Sequence, residues 1–308
     1  MNLKKVIITG STGMIGTALI KECLLKGIGV TAVLRPGSIN KARLPKSDGV
    51  EAIECGLNEI NKLEKILKPE HDAFFHLGWA NTNREGRVSP EKQNENIAFT
   101  LEAVRAAKNT GCKVFVGAGS QAEYGRVSGS IPSNLPVHPE TAYGVAKYAA
   151  GRLSAMLCDE LGIKNIWTRV FSVYGPNDGP DTMISYCIKA LLNGEKPALT
   201  KCGQLWDYLY CSDAAKALLL ACEKGLDKAV YNIGSGTAKP LSEYVEAIRA
   251  AIDPKLAVGI GEKKYAADQV MQLCADISGL KKDTGFMPAV PFENGIRETI
   301  KWHRENQL

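Results

Sequence analysis

Val6-Ile7-Ile8-Thr9-Gly10-Ser11-Thr12-Gly13-Met14-Ile15-Gly16 is the stretch on which the fold turns. A short apolar run closed by Thr9 and Gly10 reads as a buried strand, and a segment of helical period begins at Met14. Between them, glycines at 10, 13 and 16 permit a tight turn, close approach of backbone to a pyrophosphate, and close contact of helix with sheet. The helix start adds unpaired N–H groups and the positive end of a dipole. A glycine triplet alone is weak evidence, but directly after a first strand and opening a helix it is the setting a phosphate cradle requires. Thr12, Met14 and Ile15 join the three glycines as candidate cofactor contacts.

Beyond this loop, short apolar runs alternate with helical segments. Strands are expected at 6–9, 30–34, 73–77, 114–117 and 166–170, and helices at 14–26, 59–67, 91–109 and 142–161. Strands separated by helices imply right-handed crossovers and a parallel sheet. The pattern therefore predicts an α/β fold, a Rossmann-type doubly wound parallel sheet with a smaller C-terminal substrate-binding lobe. Residues 1–175 are expected to form the NAD(P)-binding domain. After Gly175-Pro176 the elements shorten, so 176–308 is read mainly as the substrate-binding lobe, with 203–235 returning to the first domain. Segments 208–211 and 230–233 are candidates for additional strands of the main sheet.

Composition narrows the function classes. The chain has 308 residues, 45% hydrophobic and 23% charged, and 38 basic against 33 acidic side chains leave a net charge of +5 with the signs interleaved. A nucleic-acid partner is not expected from such a surface. Nine cysteines lack any C-x-x-C pair or zinc-ligand spacing; they read as small apolar residues of a reducing compartment, and no metal site is expected. The first apolar run is too short for a signal peptide, and no stretch approaches the roughly 20 residues of a membrane span. A cytoplasmic protein without a membrane partner is the expectation.

The second strand ends in Val33-Leu34-Arg35-Pro36-Gly37-Ser38. In dinucleotide-binding folds a carboxylate near this point accepts from the adenosine ribose, whereas an arginine suits a 2′-phosphate. Arg35, with Ser38 and Lys41 close by, favours NADP(H), with NAD(H) still possible. The plainer alternative makes Arg35 a solvated charge or an adenine stacker.

Tyr143-Gly144-Val145-Ala146-Lys147 places a phenol and an ammonium at i and i+4, on one helix face. The preceding strand leads into Gly119-Ser120-Gln121-Ala122-Glu123-Tyr124-Gly125, which puts a hydroxyl at the carboxyl end of a strand, where open parallel sheets bind ligands. Here the chain resembles the extended short-chain dehydrogenase/reductases, the NAD(P)-dependent nucleotide-sugar epimerase/dehydratase/reductase family. The resemblance runs through His76-Leu77-Gly78, Asn96, Ser120, Tyr124-Gly125, Tyr143 with Lys147, Arg169, Gly175-Pro176 and Asp207-Tyr208 to Asp213. Tyr231-Asn232-Ile233-Gly234-Ser235-Gly236, Ala275-Asp276 and Gly285-Phe286-x-Pro288 continue it.

The resemblance implies that Tyr143 is the acid/base, that Lys147 lowers its pKa and holds the nicotinamide ribose, and that Ser120 binds the reacting oxygen. It further implies cofactor contacts at Leu57, Leu77, Gly78, Asn96 and Phe171, and substrate contacts at Trp79, Gln121, Ser172 and Trp206. Trp79 either walls the pocket or simply packs. His76 is read as structural. Family dehydratases carry Asp-Glu after the Ser/Thr, where this chain has Gln121 and Ala122, so 4,6-dehydration is disfavoured. Ala122 also replaces the cysteine of members that epimerise at C3 and C5. Two phosphate-contacting arginines of the family are absent: Trp206 takes the place of one, and near Asp268 the nearest match to the other is Tyr265, with Lys263 and Lys264 as possible substitutes.

What the resemblance then leaves is hydride transfer at C4 of a nucleotide-linked sugar, as net reduction of a 4-keto-6-deoxy sugar or as redox-neutral 4-epimerisation, and Arg35 favours reduction. The alternatives are a 4-epimerase with retained NAD and a non-catalytic NADP(H) sensor. The family also implies a homodimer built through the helices at 91–109 and 142–161.

Overall fold

The computed structural model describes residues 1–266 and 269–306. Seven strands form its central sheet: β1 (Lys5–Thr9), β2 (Gly29–Leu34), β3 (Val50–Glu54), β4 (Ala73–His76), β5 (Val114–Ser120), β6 (Lys164–Val170) and β7 (Ala229–Ile233). Their order is β7-β6-β5-β4-β1-β2-β3 and every pairing is parallel. The order of successive strands reverses between β1 and β4, so the crevice beside Thr9 and His76 is the topological switch point of a Rossmann-type sheet.

Alternation along the strands accounts for the two covered faces. Val6 and Ile8 of β1, with Val30, Ala32 and Phe75, pack under the helices Met14–Leu25 and Cys211–Lys224. Ile7, Val33, Phe74 and Phe115 point the other way, onto Ala103, Val104 and Ala107 of the Pro90–Asn109 helix and Leu157 and Cys158 of the Ala142–Leu161 helix. The latter helix begins where Thr141 accepts from the Gly144 N–H and stops at Gly162, whose left-handed φ of 65° closes it. A further apolar cluster joins the helices Met183–Leu192, Leu241–Ile252 and Phe292–Glu305. Among the described residues no helix is long and apolar enough to cross a membrane.

Three expectations need correction. β3 was not anticipated, because Val50-Glu51-Ala52-Ile53-Glu54 lies at the sheet edge, with three of its five residues exposed and none fully buried. The helix expected at 59–67 is a 3₁₀ segment, Leu57–Lys62, followed by one turn of α-helix, Leu63–Ile66. Residues 208–211 do not extend the main sheet. Tyr208–Tyr210 pairs with Ser172–Tyr174 in a separate two-stranded sheet, since β6 already has β5 and β7 on its two sides; residues 230–233 do enter the main sheet, as most of β7.

A buried carboxylate ties the carboxyl ends of β5 and β6. Glu123 is 0% exposed; its Oε1 accepts from the Ser120 N–H at 2.8 Å and the Trp167 indole at 3.0 Å, and its Oε2 from Arg169 Nε at 2.8 Å. Arg169 also lies 4.4 Å over the Tyr124 ring and donates to the Ser133 carbonyl. Truncating one partner strands the other as a buried charge, which typically costs about 3–5 kcal/mol. Glu123→Ala is therefore expected to lower unfolding stability by about that amount, read as a lower urea midpoint at pH 7. A loss below about 1 kcal/mol, the size of an exposed pair, would refute this placement.

Candidate active site

The phosphate loop is held by contacts that leave no room for side chains. Gly10 has φ of 65°, and a Cβ there would stand 2.8 Å from the backbone of Leu77 and Gly78; one on Gly16 would meet the Gly10 carbonyl at 2.2 Å. The Met14–Leu25 helix starts at Gly13 with no side-chain cap, so the N–H groups of its first turn carry no side-chain acceptor. This arrangement fits a pyrophosphate: the donors converge, the dipole is favourable, and only glycine permits the approach.

Next to it, a cavity of about 220 Å³ is lined by Gly10, Thr12, Gly13, Leu57, Gly78 and Arg35 among others. A larger one, about 530 Å³, takes in Met14, Ile15, Ser120, Gln121, Tyr143, Lys147, Phe171, Ser172 and Trp206. Leu77 and Trp79 line both, so the two cavities meet at the switch point. The expected residues are thus brought together, with three exceptions. Gly16 acts underneath the loop, through its contact with Gly10. Asn96 is 1% exposed, and its amide clamps the backbone N–H and C=O of Ala80, so it orders the loop after β4 and lines neither cavity. Ser38 precedes the 3₁₀ turn Ile39–Arg43, makes no capping bond and also lines neither.

Around Arg35 the charges sort themselves. Lys41 is paired with Glu54 at 3.2 Å, and Glu54 also accepts from the Gly37 N–H. Arg43, absent from the sequence reading, donates to the Thr12 carbonyl at 3.4 Å and brings a second guanidinium beside the loop. Nothing in its sequence position, within a polar turn, announces this.

Tyr143 reaches the Ser120 turn through Gly144, where a Cβ would stand 2.4 Å from the Ala122 carbonyl. Ser120 is 8% exposed, and its hydroxyl accepts from the Ala122 N–H. Lys147, 4% exposed, donates from Nζ to the Ala118 carbonyl at 2.6 Å and lies 3.6 Å from the Trp79 ring centroid. Burial brings its pKa down to about 7, helped by Arg87 and opposed by Glu123. Burial pushes the Tyr143 phenol up, while the Arg87 guanidinium and the Ser120 hydroxyl hold it back. His76 bonds Thr9 and Thr100 through its two ring nitrogens, and burial drives its pKa down to about 3, as a neutral structural residue requires.

The substrate-side positions are partly self-satisfied. Trp206 Nε1 donates to the Ser172 hydroxyl at 2.7 Å, and the Tyr265 hydroxyl accepts from the Gly203 N–H. Asp268 lies outside the described residues. Asp207 and Asp213 serve the backbone: the first accepts from the N–H groups of Ser235, Gly236 and Ala275, the second from Ala289 and Val290.

A phosphate cradle at the switch point, opening onto a serine, a tyrosine and a lysine at the same sheet edge, defines the class of dinucleotide-binding α/β proteins of the extended short-chain dehydrogenase/reductase type. The model of the NAD dependent epimerase/dehydratase family matches residues 6–234, and the chain belongs to that family. Among solved structures, a UDP-N-acetylglucosamine 4-epimerase from Methanobrevibacter ruminantium, in complex with UDP-N-acetylmuramic acid, is similar at 26% identity and a TM-score of 0.87, with 100% of each chain covered. MoeE5 in complex with UDP-glucuronic acid and NAD is similar at 29% identity and a TM-score of 0.83, covering 98% of this chain and 99% of that one. A dTDP-glucose 4,6-dehydratase of Neisseria meningitidis serogroup B is 23% identical, over 99% of this chain and 94% of the relative. The chain is a nucleotide-sugar epimerase/dehydratase family member.

The Lys147 environment makes a prediction. The folded chain releases this proton near pH 7, while the unfolded chain keeps it until about 10.4. Between those limits the unfolded state binds more protons, so stability rises with pH. The wild type is expected to gain about 1 kcal/mol relative to Lys147→Met between pH 6 and pH 8, measured as the difference of urea unfolding free energies. A constant difference across that interval would show that the ammonium is not desolvated.

Proposed function

We propose that the protein is an NAD(P)-dependent oxidoreductase acting at C4 of a nucleotide-linked sugar, in the direction of net reduction of a 4-keto-6-deoxy sugar with NADPH. The observation that carries this reading is the convergence of Ser120, Tyr143 and Lys147 on one cavity wall that continues past Leu77 and Trp79 to the phosphate loop. When bound, the nicotinamide supplies the hydride that the sugar carbon receives. Tyr143 gives its phenolic proton to the oxygen that becomes the hydroxyl, and the Ser120 hydroxyl hydrogen-bonds that same oxygen. Lys147 holds the nicotinamide ribose and supplies positive charge in a dry setting. The glycine loop holds the pyrophosphate, and Arg35, assisted by Arg43, receives a 2′-phosphate.

Reduction is favoured over dehydration because elimination across C5–C6 needs an added acid and base. Gln121 cannot ionise, Ala122 has no functional group, and the carboxylate that follows them, Glu123, is buried against Arg169. Residues 1–175 are read as the cofactor-binding part and 176–308 as mainly the substrate-binding part. A homodimer through the Pro90–Asn109 and Ala142–Leu161 helices is part of this reading, supported by exposed Val145, Leu153 and Met156 on the second; sedimentation at twice the chain mass is the expected result.

Cofactor choice is tested by calorimetry on stripped protein. NADPH is expected to bind at least about tenfold more tightly than NADH, a difference of about 1.4 kcal/mol, and Arg35→Asp is expected to erase the gap. Tyr143→Phe is expected to lower turnover of a 4-keto nucleotide sugar by about 10²–10⁴-fold. Equal or tighter binding of NADH, with activity on a 4-hydroxy nucleotide sugar and no added cofactor, would replace the reductase with a 4-epimerase. That second reading draws on the epimerase from Methanobrevibacter ruminantium and on the NAD bound by MoeE5.

A further inference from the structure

The helix Arg84–Val88, only 5 residues long, forms part of the cavity wall through Arg87 and has no part in the chemistry described above. The Arg87 guanidinium carbon lies 4.5 Å from the centroid of the Tyr143 ring. The Lys147 ammonium is farther from that ring, at 5.8 Å, and is engaged elsewhere, at 3.6 Å from the Trp79 ring and 2.6 Å from the Ala118 carbonyl. Trp79 meets Tyr143 nearly edge-on, with centroids 6.1 Å apart. The result is a file of four side chains, Arg87, Tyr143, Trp79 and Lys147, with a cation at each end and two aromatic rings between.

This file is held by one buried amide. Gln93, 1% exposed, accepts from Trp79 Nε1 at 2.9 Å and donates through Nε2 to the Asn81 and Gly86 carbonyls at 2.9 and 3.0 Å. The same side chain therefore fixes the indole and the backbone of the helix that carries Arg87. Asn83 caps that helix by accepting from the Gly86 N–H. Arg87 is thus presented to the phenol by an organised element, although the side chain itself is exposed.

We propose that Arg87 is a positioning residue for Tyr143: its guanidinium, seated over the phenol ring, is a second cation, beside the Lys147 ammonium, that favours the phenolate. This rests on the reading of Tyr143 as the proton donor. A cation over an aromatic face is attracted by the ring, and more so when the ring carries the negative charge of a phenolate. The other groups facing Tyr143 are Ser120 and Glu123 from the turn after β5, Lys147 on its own helix and Trp79 from the loop after β4, with Asp178 and Tyr208 among the other residues lining the cavity. Glu123 disfavours the phenolate but is already paired with Arg169.

The test reads the phenol directly, without substrate or cofactor. With 3,5-difluorotyrosine placed at position 143 alone, whose fluorines bring the titration into the range where the protein is stable, ¹⁹F NMR gives the midpoint. Arg87→Met is expected to raise it by about one pH unit, a tenfold gain in proton affinity, at the low end for a neighbouring charge because Arg87 is exposed. Arg87→Lys is expected to recover at least half of that shift, which a purely steric role of the side chain would not do. An unchanged midpoint in Arg87→Met, or no recovery in Arg87→Lys, would overturn the proposal. Undiminished turnover in Tyr143→Phe would instead remove the functional reading and leave the Arg87–Tyr143 coupling to stand on the NMR result.

Discussion

The buried Glu123 carboxylate is the constraint on which the site depends. It pins the Ser120 N–H, and through Trp167 and Arg169 it locks the end of β5 to β6. That pinned turn presents the Ala122 carbonyl against which Gly144 packs, and so decides where the first turn of the Ala142–Leu161 helix lies. Tyr143 and Lys147 ride on that helix, and the Lys147 ammonium closes the circuit by donating to Ala118 of β5. A charge in a dry interior is costly unless every lone pair is satisfied. Here the satisfaction is also the device that sets the geometry of Ser120, Tyr143 and Lys147.

Desolvation is the dominant electrostatic influence at this sheet edge, and its sign depends on the group. It keeps His76 neutral, weakens the ammonium of Lys147 and resists ionisation of Tyr143. On the reading that Tyr143 gives up its phenolic proton, the site needs positive charge delivered from close range. Arg87 provides such a charge from the protein itself, and a bound nicotinamide would add another. The buried carboxylate of Asp207 accepts three backbone N–H groups and that of Asp213 two. They anchor loops, and the family landmark Asp207-Tyr208 owes its place to that anchoring as much as to the cavity.

The two cavities meet at Leu77 and Trp79 because Gly10 packs directly on the Leu77–Gly78 backbone at the switch point. Trp79 is a wall of both, a partner for the Lys147 ammonium and a neighbour of Tyr143. Its two readings from sequence, pocket wall or packing residue, therefore merge: the indole packs in order to hold the groups beside it. On the far side, Trp206 and Ser172 satisfy one another, the first of them where the resemblance to the family leads one to expect an arginine. Both positions lie within residues 6–234, the span that the family model matches.

Local pattern was sufficient for the phosphate loop, the alternation of strands and helices, and the Ser120, Tyr143 and Lys147 positions, because each depends on nearest neighbours along the chain: a glycine spacing, a period of two or of 3.6, an i, i+4 pair. β3 was illegible because an edge strand buries only one side and its half-polar sequence carries no strong period. The fate of residues 208–211 was illegible too, since pairing was settled by which strand occupied the side of β6. That Asn96, expected at a cofactor, clamps the backbone of Ala80 could not be read either, and Arg43 and Arg87 gave no signal at all. Their roles arise from contacts between segments distant in sequence, Arg43 with Thr12 and Arg87 with Tyr143. The sequence by itself determined most of the sheet, the glycine cradle and where Ser120, Tyr143 and Lys147 stand along the chain; only the tertiary structure decided which charges face them, because charge acts through space and the chain does not record who its neighbours will be.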